Sequence, residues 1–324
     1  MDIYVKKAII HQFSPDDTDF YLADKFLNIT PKIEEYLHKK IERVYSDEAR
    51  TGIFEEDNPF LEMISNDLLE TSVAVANRWK EEFVVSENQK TNDLVFIQFS
   101  KEGVDHFAFL RIALRETLTH LGGEVDNPIK LTQNNLPGFG TGADEALVIN
   151  LQSRKYHLIE KRIKYNGTFL NYFSENLLQA QPKISPKKSI KALEKTAQKI
   201  AESFNTDDFQ FQSKVKSAIF NHIEEENKLS PEKLADDLFD DNLTARLSFI
   251  DQVKEAVPEP VTFEEIDASR QLKKFENQKL SLSNGIELIV PNNVYEDTES
   301  VEFILNENGT YSILIKNIED IQSK

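Results

Sequence analysis

The chain has 324 residues, of which 40% are apolar and 29% charged, and its formal net charge is −18. This composition is ordinary for a globular protein, and the length indicates about two domains. Because the chain has no cysteine, disulfides and thiolate metal sites are excluded. No stretch approaches the roughly 18 apolar residues of a membrane span, and the N-terminus does not have the pattern of a signal peptide. We therefore expect a cytoplasmic protein.

The first part of the chain predicts a strand, a hairpin and two helices. Residues 3–13 predict a strand, and residues 20–27 are expected to be its hairpin partner. Thr30-Pro31 predicts the start of a helix, and the apolar residues between Ile33 and Val44 recur at helical spacing. A second helical stretch is expected from about residue 59 to residue 84.

Short apolar runs then predict an antiparallel sheet. Its central strands are expected at residues 94–99, 107–114 and 146–151, and a further strand is expected at residues 156–163. A glycine-rich loop, residues 136–143, lies between the second and third of these runs.

The pattern becomes helical after Asn166-Gly167 and remains so to about Val257. The last segment returns to alternating strands, and Asn308-Gly309 between two alternating runs predicts a β-hairpin. We therefore predict an α+β fold. It comprises a mixed helix and antiparallel-sheet domain over residues 1–165, a helical region over 166–257, and a small β-rich tail over 258–324 that packs on the rest.

Positive charge is concentrated in one window of this acidic chain. Residues 154–199 contain eleven bases and three acids, a net charge of +8, whereas residues 1–153 contain 15 bases and 27 acids. Residues 200–324 contain 12 bases and 26 acids. Such a concentration is what a phosphate backbone or another polyanion requires.

Within this window, a predicted helix carries lysines along one side. At about 100° per residue, Lys187, Lys191, Lys195 and Lys199 form one ridge, with Lys188 in the same sector and apolar residues roughly opposite. We call these four residues the Lys ridge. A solvated surface face is the alternative interpretation. Lysine is a mobile point charge, so we expect this surface to contact phosphates rather than to read bases.

Other motifs give little support for specific chemistry. Gly138 to Gly142 resembles a phosphate-binding loop but lacks the Gly-Lys-Ser/Thr ending, and carboxylates follow it. The histidines, including Asp105-His106 and His120, have no metal-ligand spacing, and no Gly-x-Ser-x-Gly motif occurs. Residues 230–257 superficially suggest a helix-turn-helix, but its aspartates would lie near phosphates.

The order of short motifs resembles the bacterial 37-kDa nucleoid-associated protein family (NdpA-like), and the mass of 37.3 kDa agrees. The resemblance covers nearly the whole chain. The residues that carry it are His11-Gln12, Arg43–Ser46, Leu94–Phe96, Phe107–Leu110, Ala143-Asp144 with Ala146–Leu151, Lys161-Arg162 with Phe169–Phe173, Gly285-Ile286 and Val301–Ile315. It implies a bacterial protein that associates with the nucleoid and binds DNA, and it carries over no catalytic residues.

The sequence therefore predicts a nucleoid-associated protein, not an enzyme, that binds double-stranded DNA largely without sequence specificity. We expect no cofactor, no metal site and no membrane contact. The predicted DNA-binding residues are Arg154, Lys155, Lys161, Arg162, Lys164, Lys183, Lys187, Lys188, Lys191, Lys195 and Lys199.

Two alternatives remain at this stage. One is an adaptor that recruits a DNA-handling enzyme, with the Lys ridge contacting that partner or a second copy of the chain in a homodimer. The other is a nucleic-acid enzyme whose scattered carboxylates hold Mg²⁺. No distinctive carboxylate pattern supports the second alternative.

Overall fold

A six-stranded antiparallel sheet organises the first half of the molecule. The computed structural model describes residues 2–15, 20–85, 90–120, 129–205, 208–263 and 265–322, and the chain divides into two units, Met1–Ser185 and Pro186–Lys324. The strands described in the first unit are β1 (Ile3–Phe13), β2 (Arg50–Ile53), β3 (Asn92–Lys101), β4 (Val104–Ala113), β5 (Arg115–His120), β6 (Ile129–Asn135), β7 (Glu145–Asn150), β8 (Lys155–Ile159), β9 (Ile163–Tyr165) and β10 (Thr168–Leu170). The large sheet has the order β1-β3-β4-β7-β8-β2, whereas β5–β6 and β9–β10 are separate hairpins.

Helices cover both faces of this sheet. They are α1 (Pro31–Glu42), α2 (Pro59–Glu62) and α3 (Leu68–Phe83), with a 3-10 turn at Arg43–Tyr45 and a π-helical turn at Phe173–Leu177. Successive strand residues point to opposite faces, so α3 packs with one set of sheet side chains and α1 with the alternate set. Burial of both faces explains why the central strands are almost continuously apolar.

The structure differs in detail from three sequence predictions in this unit. Residues 20–27 form no strand: Tyr21 makes one bridge to Gln12, and the following chain is bound irregularly to β1. Residues 59–84 form two helices, because Asp67 caps a new helix by accepting a hydrogen bond from the Leu69 amide at 2.9 Å. The strand expected at 156–163 ends at Ile159, since Glu160 turns inward.

The second unit combines a helical core with two β-hairpins. Its described helices are α4 (Pro186–Ser203), α5 (Phe209–Glu226), α6 (Pro231–Leu238), α7 (Leu243–Ala256), α8 (Ser269–Phe275) and α9 (Asn292–Tyr295). Its described strands are β11 (Lys228–Leu229), β12 (Val261–Thr262), β13 (Asn277–Ser281), β14 (Glu287–Pro291), β15 (Val301–Leu305) and β16 (Tyr311–Ile315). The hydrophobic core extends from Ile190 to Phe275 along the chain.

The predicted C-terminal hairpin is confirmed. Strands β15 and β16 pair antiparallel, and Gly309 in their turn has a φ of +79°, a conformation that glycine adopts without strain. The α+β fold class is also confirmed. The division into three regions at residues 165 and 257 stays a prediction.

A buried polar network links β4, β7 and α3 in the first unit. The Arg111 guanidinium donates to a Glu145 carboxylate oxygen at 2.7 Å, and the Tyr172 hydroxyl donates to the same oxygen. The Trp79 indole then donates to the Tyr172 hydroxyl at 3.0 Å. Burial raises the pKa of Tyr172 well above its ordinary value, and the Glu145 charge adds to this effect. All four side chains are buried, so the network joins the sheet to its covering helix.

We predict that Arg111→Met destabilises the first unit by about 3–5 kcal/mol, because it leaves the Glu145 carboxylate buried without its cation. Urea unfolding followed by fluorescence of Trp79, the single tryptophan, measures this loss. Arg78→Met is the control, since Arg78 pairs with Glu81 and Glu82 near the surface and its loss should cost about 0–1 kcal/mol. Equal effects of the two variants would contradict the prediction.

Candidate nucleic-acid interface

The predicted DNA-binding residues fall in both units. Six of them, from Arg154 to Lys183, belong to the first unit, and the five lysines from Lys187 to Lys199 belong to α4 of the second unit. Each group is therefore described separately.

The bases of the first unit are partly neutralised by carboxylates. The Arg154 guanidinium lies 3.1 Å from a Glu56 carboxylate oxygen, and the Lys161 ammonium lies 3.3 Å from Asp144. Burial opposes ionisation of Asp144, but a hydrogen bond from the Ala113 amide and nearby cations hold its pKa below the ordinary value. Arg154 and Lys161 thus each have a carboxylate partner within the first unit.

The small β9–β10 hairpin presents other bases of this group. Lys164 is exposed on β9, and its cross-strand neighbour on β10 is Phe169, of which 57% is exposed. Arg162, also exposed, donates from its guanidinium to the Phe169 carbonyl oxygen. The turn is formed by Asn166 and Gly167, which both have positive φ values.

A second network anchors the chain around this hairpin. Arg50 of β2 pairs with Glu160, and the Glu160 carboxylate also accepts hydrogen bonds from the Ser174 amide and hydroxyl at 3.0 and 2.8 Å. The Lys183 amide donates to the Thr51 carbonyl oxygen at 2.7 Å. These bonds hold residues 160–183 against the β2–β8 edge of the sheet.

Helix α4 has the amphipathic character that the sequence predicts. It begins at Pro186 and buries Ile190, Leu193, Ala197 and Ile200. All four lysines of the Lys ridge and Lys188 are exposed. The apolar side therefore attaches the helix to the core of its unit, and the lysines face solvent.

The positive charge of α4 is mostly uncompensated. Among the described residues, Lys188, Lys191 and Lys195 have no carboxylate within ion-pair distance. The Lys199 ammonium donates to the side-chain amide oxygen of Gln252, a neutral group, at 3.0 Å. Glu194, an acid on the same helix, accepts instead from Lys274 of α8 at 3.2 Å. Lys191 and Lys195 of the Lys ridge, together with Lys188, thus present positive charge without a carboxylate partner among the described residues.

The glycine-rich loop binds a lysine rather than a phosphate. The Lys40 ammonium of α1 donates to the carbonyl oxygens of Gly138 and Thr141 at 3.0 and 2.5 Å. The Tyr36 hydroxyl donates to the Pro137 carbonyl oxygen at 3.0 Å. Carbonyl oxygens of the loop are therefore directed at an ammonium group of the protein itself. Burial lowers the pKa of Lys40 to about 8.

A buried serine–histidine pair also lacks catalytic geometry. The His11 Nδ1 atom accepts from the Ala23 amide at 3.0 Å, so the proton of the neutral ring lies on Nε2, which faces the Ser72 hydroxyl at 2.9 Å. Ser72 in turn donates to the Leu69 carbonyl oxygen at 2.8 Å. Burial lowers the pKa of His11 to about 4, so the ring stays neutral. Because the single ring proton lies on Nε2, this atom cannot accept the serine proton.

The remaining sequence motifs are structural or acidic in character. His106 is buried against Phe99, with a ring separation of 5.2 Å. In the region that suggested a helix-turn-helix, Asp236 pairs with Arg246 at 3.0 Å and Asp237 with His222 at 2.7 Å. Across the described part of the chain, no three His, Asp or Glu residues are grouped so as to hold a metal ion.

A model of the family described as nucleoid-associated protein YejK matches residues 9–321. The chain belongs to this family. The match spans both units and confirms the resemblance found in the sequence. No curated protein matches the chain. Among the helices that the structure describes, none has the length and apolar character needed to cross a membrane.

We predict that the stability difference between the native protein and Lys40→Met depends on pH. Below pH 8, Lys40 is protonated in both the folded and the unfolded chain. Between the lowered pKa of about 8 and the ordinary value of 10.5, the unfolded chain binds the proton and the folded chain does not. The free energy of unfolding of the native protein should therefore rise with pH, relative to the variant, by up to about 3 kcal/mol across this window.

Urea unfolding of both proteins between pH 7.5 and 10.5, followed by Trp79 fluorescence, tests this prediction. Because the two proteins share all other titrating groups, the difference isolates Lys40. A difference that stays constant, or that decreases with pH, would show that the ammonium is not desolvated inside the loop.

Proposed function

We propose that the chain associates with the bacterial nucleoid by binding double-stranded DNA largely without sequence specificity, and that it acts by binding rather than by catalysis. Family membership supports the nucleoid association. The observation that carries the DNA contact is the exposed Lys ridge on α4, in which Lys191 and Lys195 have no carboxylate within ion-pair distance among the described residues.

The dimensions of the Lys ridge suit a phosphate backbone. Twelve residues separate Lys187 from Lys199, which corresponds to about 18 Å along a helix axis. Duplex DNA presents one negative charge per about 1.7 Å of its axis, so a ridge of this length faces several phosphates. Lysine side chains adapt to phosphates without the planar geometry that bidentate base recognition needs. We infer electrostatic binding that tolerates any sequence.

The acidic remainder of the protein favours one docking orientation. Outside residues 154–199 the chain contains 53 acids and 27 bases, so most of its surface repels a polyanion. We propose that bases of the first unit, including Lys164 on the β9–β10 hairpin and Arg162 just before it, also contact DNA. Arg154 and Lys161 are expected to contribute less, since each has a carboxylate partner.

Binding should depend strongly on salt. If the protein neutralises four to six phosphates, the slope of log K against log salt should be about −4 to −5, and the affinity should be micromolar or weaker near physiological salt. Fluorescence anisotropy with duplexes of two unrelated sequences, across a salt series, measures both the slope and the sequence tolerance. A slope near zero would contradict electrostatic binding.

Reversal of the Lys ridge should abolish most DNA binding and leave the fold intact. We predict that Lys187→Glu, Lys191→Glu, Lys195→Glu and Lys199→Glu together weaken binding at least about 100-fold at low salt, since four attractions become repulsions. The buried side of α4 is unchanged, and exposed charges contribute only about 0–1 kcal/mol each to stability. Circular dichroism checks the fold, and gel-shift titration measures the affinity.

A matched control changes the same number of exposed lysines outside the Lys ridge. Lys32, Lys228, Lys254 and Lys273 are all exposed, and changing each to glutamate gives the same total charge. This control should weaken binding much less. If both variants bind DNA like the native protein, the Lys ridge is a solvated face. If the native protein binds no DNA but retains a protein partner through the Lys ridge, the adaptor alternative is favoured.

A further inference from the structure

The second unit contains a groove of about 890 Å³ that is separate from the Lys ridge. The β13–β14 hairpin lines one side, the β15–β16 hairpin lines another, and the start of α5 completes the lining. Leu280 and Leu288 are cross-strand neighbours on the first hairpin, and Phe303 and Ile313 are cross-strand neighbours on the second. Each hairpin therefore turns one apolar face toward the groove.

The charge of the groove is opposite to that of its surroundings. Lys216 of α5 and Lys279 of β13 line it, and no carboxylate is among the described lining residues. Residues 186–324 as a whole contain 27 acids and 17 bases, so this combination is unusual for the unit. An apolar lining with two cations favours a ligand that carries both apolar and acidic groups.

The shape of the groove suits an extended peptide. Strand β13 pairs with β14 on one side, and within the described residues its other edge has no strand partner. Consecutive residues from Lys279 to Asn284 line the groove, which places this edge along it. An unpaired strand edge presents backbone donors and acceptors that an added strand can use.

A segment of this chain has the required chemistry. Ile318-Glu319-Asp320-Ile321 follows β16 and lies outside the described helices and strands. Its two isoleucines are 52% and 82% exposed. In an extended chain, residues three positions apart point to opposite faces, so Ile318 and Ile321 can contact opposite walls of a groove. The two carboxylates between them match the two lysines, and four extended residues span about 13 Å.

The chain just before this segment is fixed to the residues that precede β15. The Lys316 amide donates to the Ser300 carbonyl oxygen at 2.9 Å, and the Asn317 side chain donates to the Glu299 carbonyl oxygen at 3.0 Å. Residues 299 and 300 precede β15 and do not line the groove. Neither Ile318 nor Ile321 is among the residues that line the groove of their own molecule.

We propose that the groove binds residues 318–321 of a second copy of this chain, and that the second copy receives the same segment in return. Such a reciprocal exchange gives an isologous dimer, in which one surface patch serves both molecules. The apolar walls bind the isoleucines, the β13 edge binds the backbone, and Lys216 and Lys279 bind the carboxylates. The proposal does not depend on DNA binding.

Sedimentation velocity over a concentration series tests the dimer directly. The intact protein is expected to dimerise, and Ile318→Asp with Ile321→Asp should weaken association at least about tenfold, because two isoleucines lose their burial. The control is Leu243→Asp with Leu247→Asp, which changes two comparably exposed residues on α7 of the same unit. It should leave association unchanged. A monomer at all concentrations, or equal effects of the two variants, would overturn the proposal.

A charge exchange tests the assignment of the groove. Lys216→Glu with Lys279→Glu makes the groove acidic, and Glu319→Lys with Asp320→Lys makes the segment basic, so each variant alone should associate poorly. Mixed together, they should form a heterodimer, because each groove then meets a segment of opposite charge. Association of the mixture no stronger than that of either variant alone would overturn the proposed contact.

Discussion

Burial of the apolar side of α4 determines where this acidic protein presents its positive charge. Ile190, Leu193 and Ala197 pack into the core of the second unit, and their spacing leaves the Lys ridge on the opposite side of the helix. Rotating the helix to hide the lysines would expose these apolar residues and bury ammonium groups, which is far more costly than leaving them in water. The electrostatic surface is therefore fixed by packing rather than by the charges themselves.

The difference between paired and unpaired bases separates structural charges from candidate binding charges. Arg50 and Arg111 hold the first unit together through buried carboxylates, and Arg154 and Lys161 meet acids nearer the surface. On α4, Glu194 is bound to Lys274, and Glu202 accepts a hydrogen bond from Gln198. Like charges four residues apart on a helix are mildly destabilising, so the row of lysines in the Lys ridge has a small folding cost. That cost is consistent with a role in binding.

Local patterns in the sequence predicted the elements whose signals lie within a few residues. The start of α1 at Thr30-Pro31, the Asn308-Gly309 turn and the apolar runs of β3, β4 and β7 are predictions of this kind. The contacts of Lys40 with the glycine-rich loop join residues about a hundred positions apart, and His11 meets Ser72 across 61 positions. Composition and spacing carry no signal for such pairs, because only the assembled sheet and helices bring them together.

The Lys ridge and the groove lie on the same unit but use different physical interactions. Contact of the Lys ridge with DNA is electrostatic and weakens with salt, whereas an exchanged segment gains from apolar burial and strand addition, which salt affects little. A dimer formed through the groove would carry two Lys ridges, and the second contact with one DNA molecule would become intramolecular. Weak contacts linked in this way gain affinity without any new interaction, provided that both ridges can reach the duplex together. A segment of only four residues would then determine how firmly a non-specific binder holds DNA.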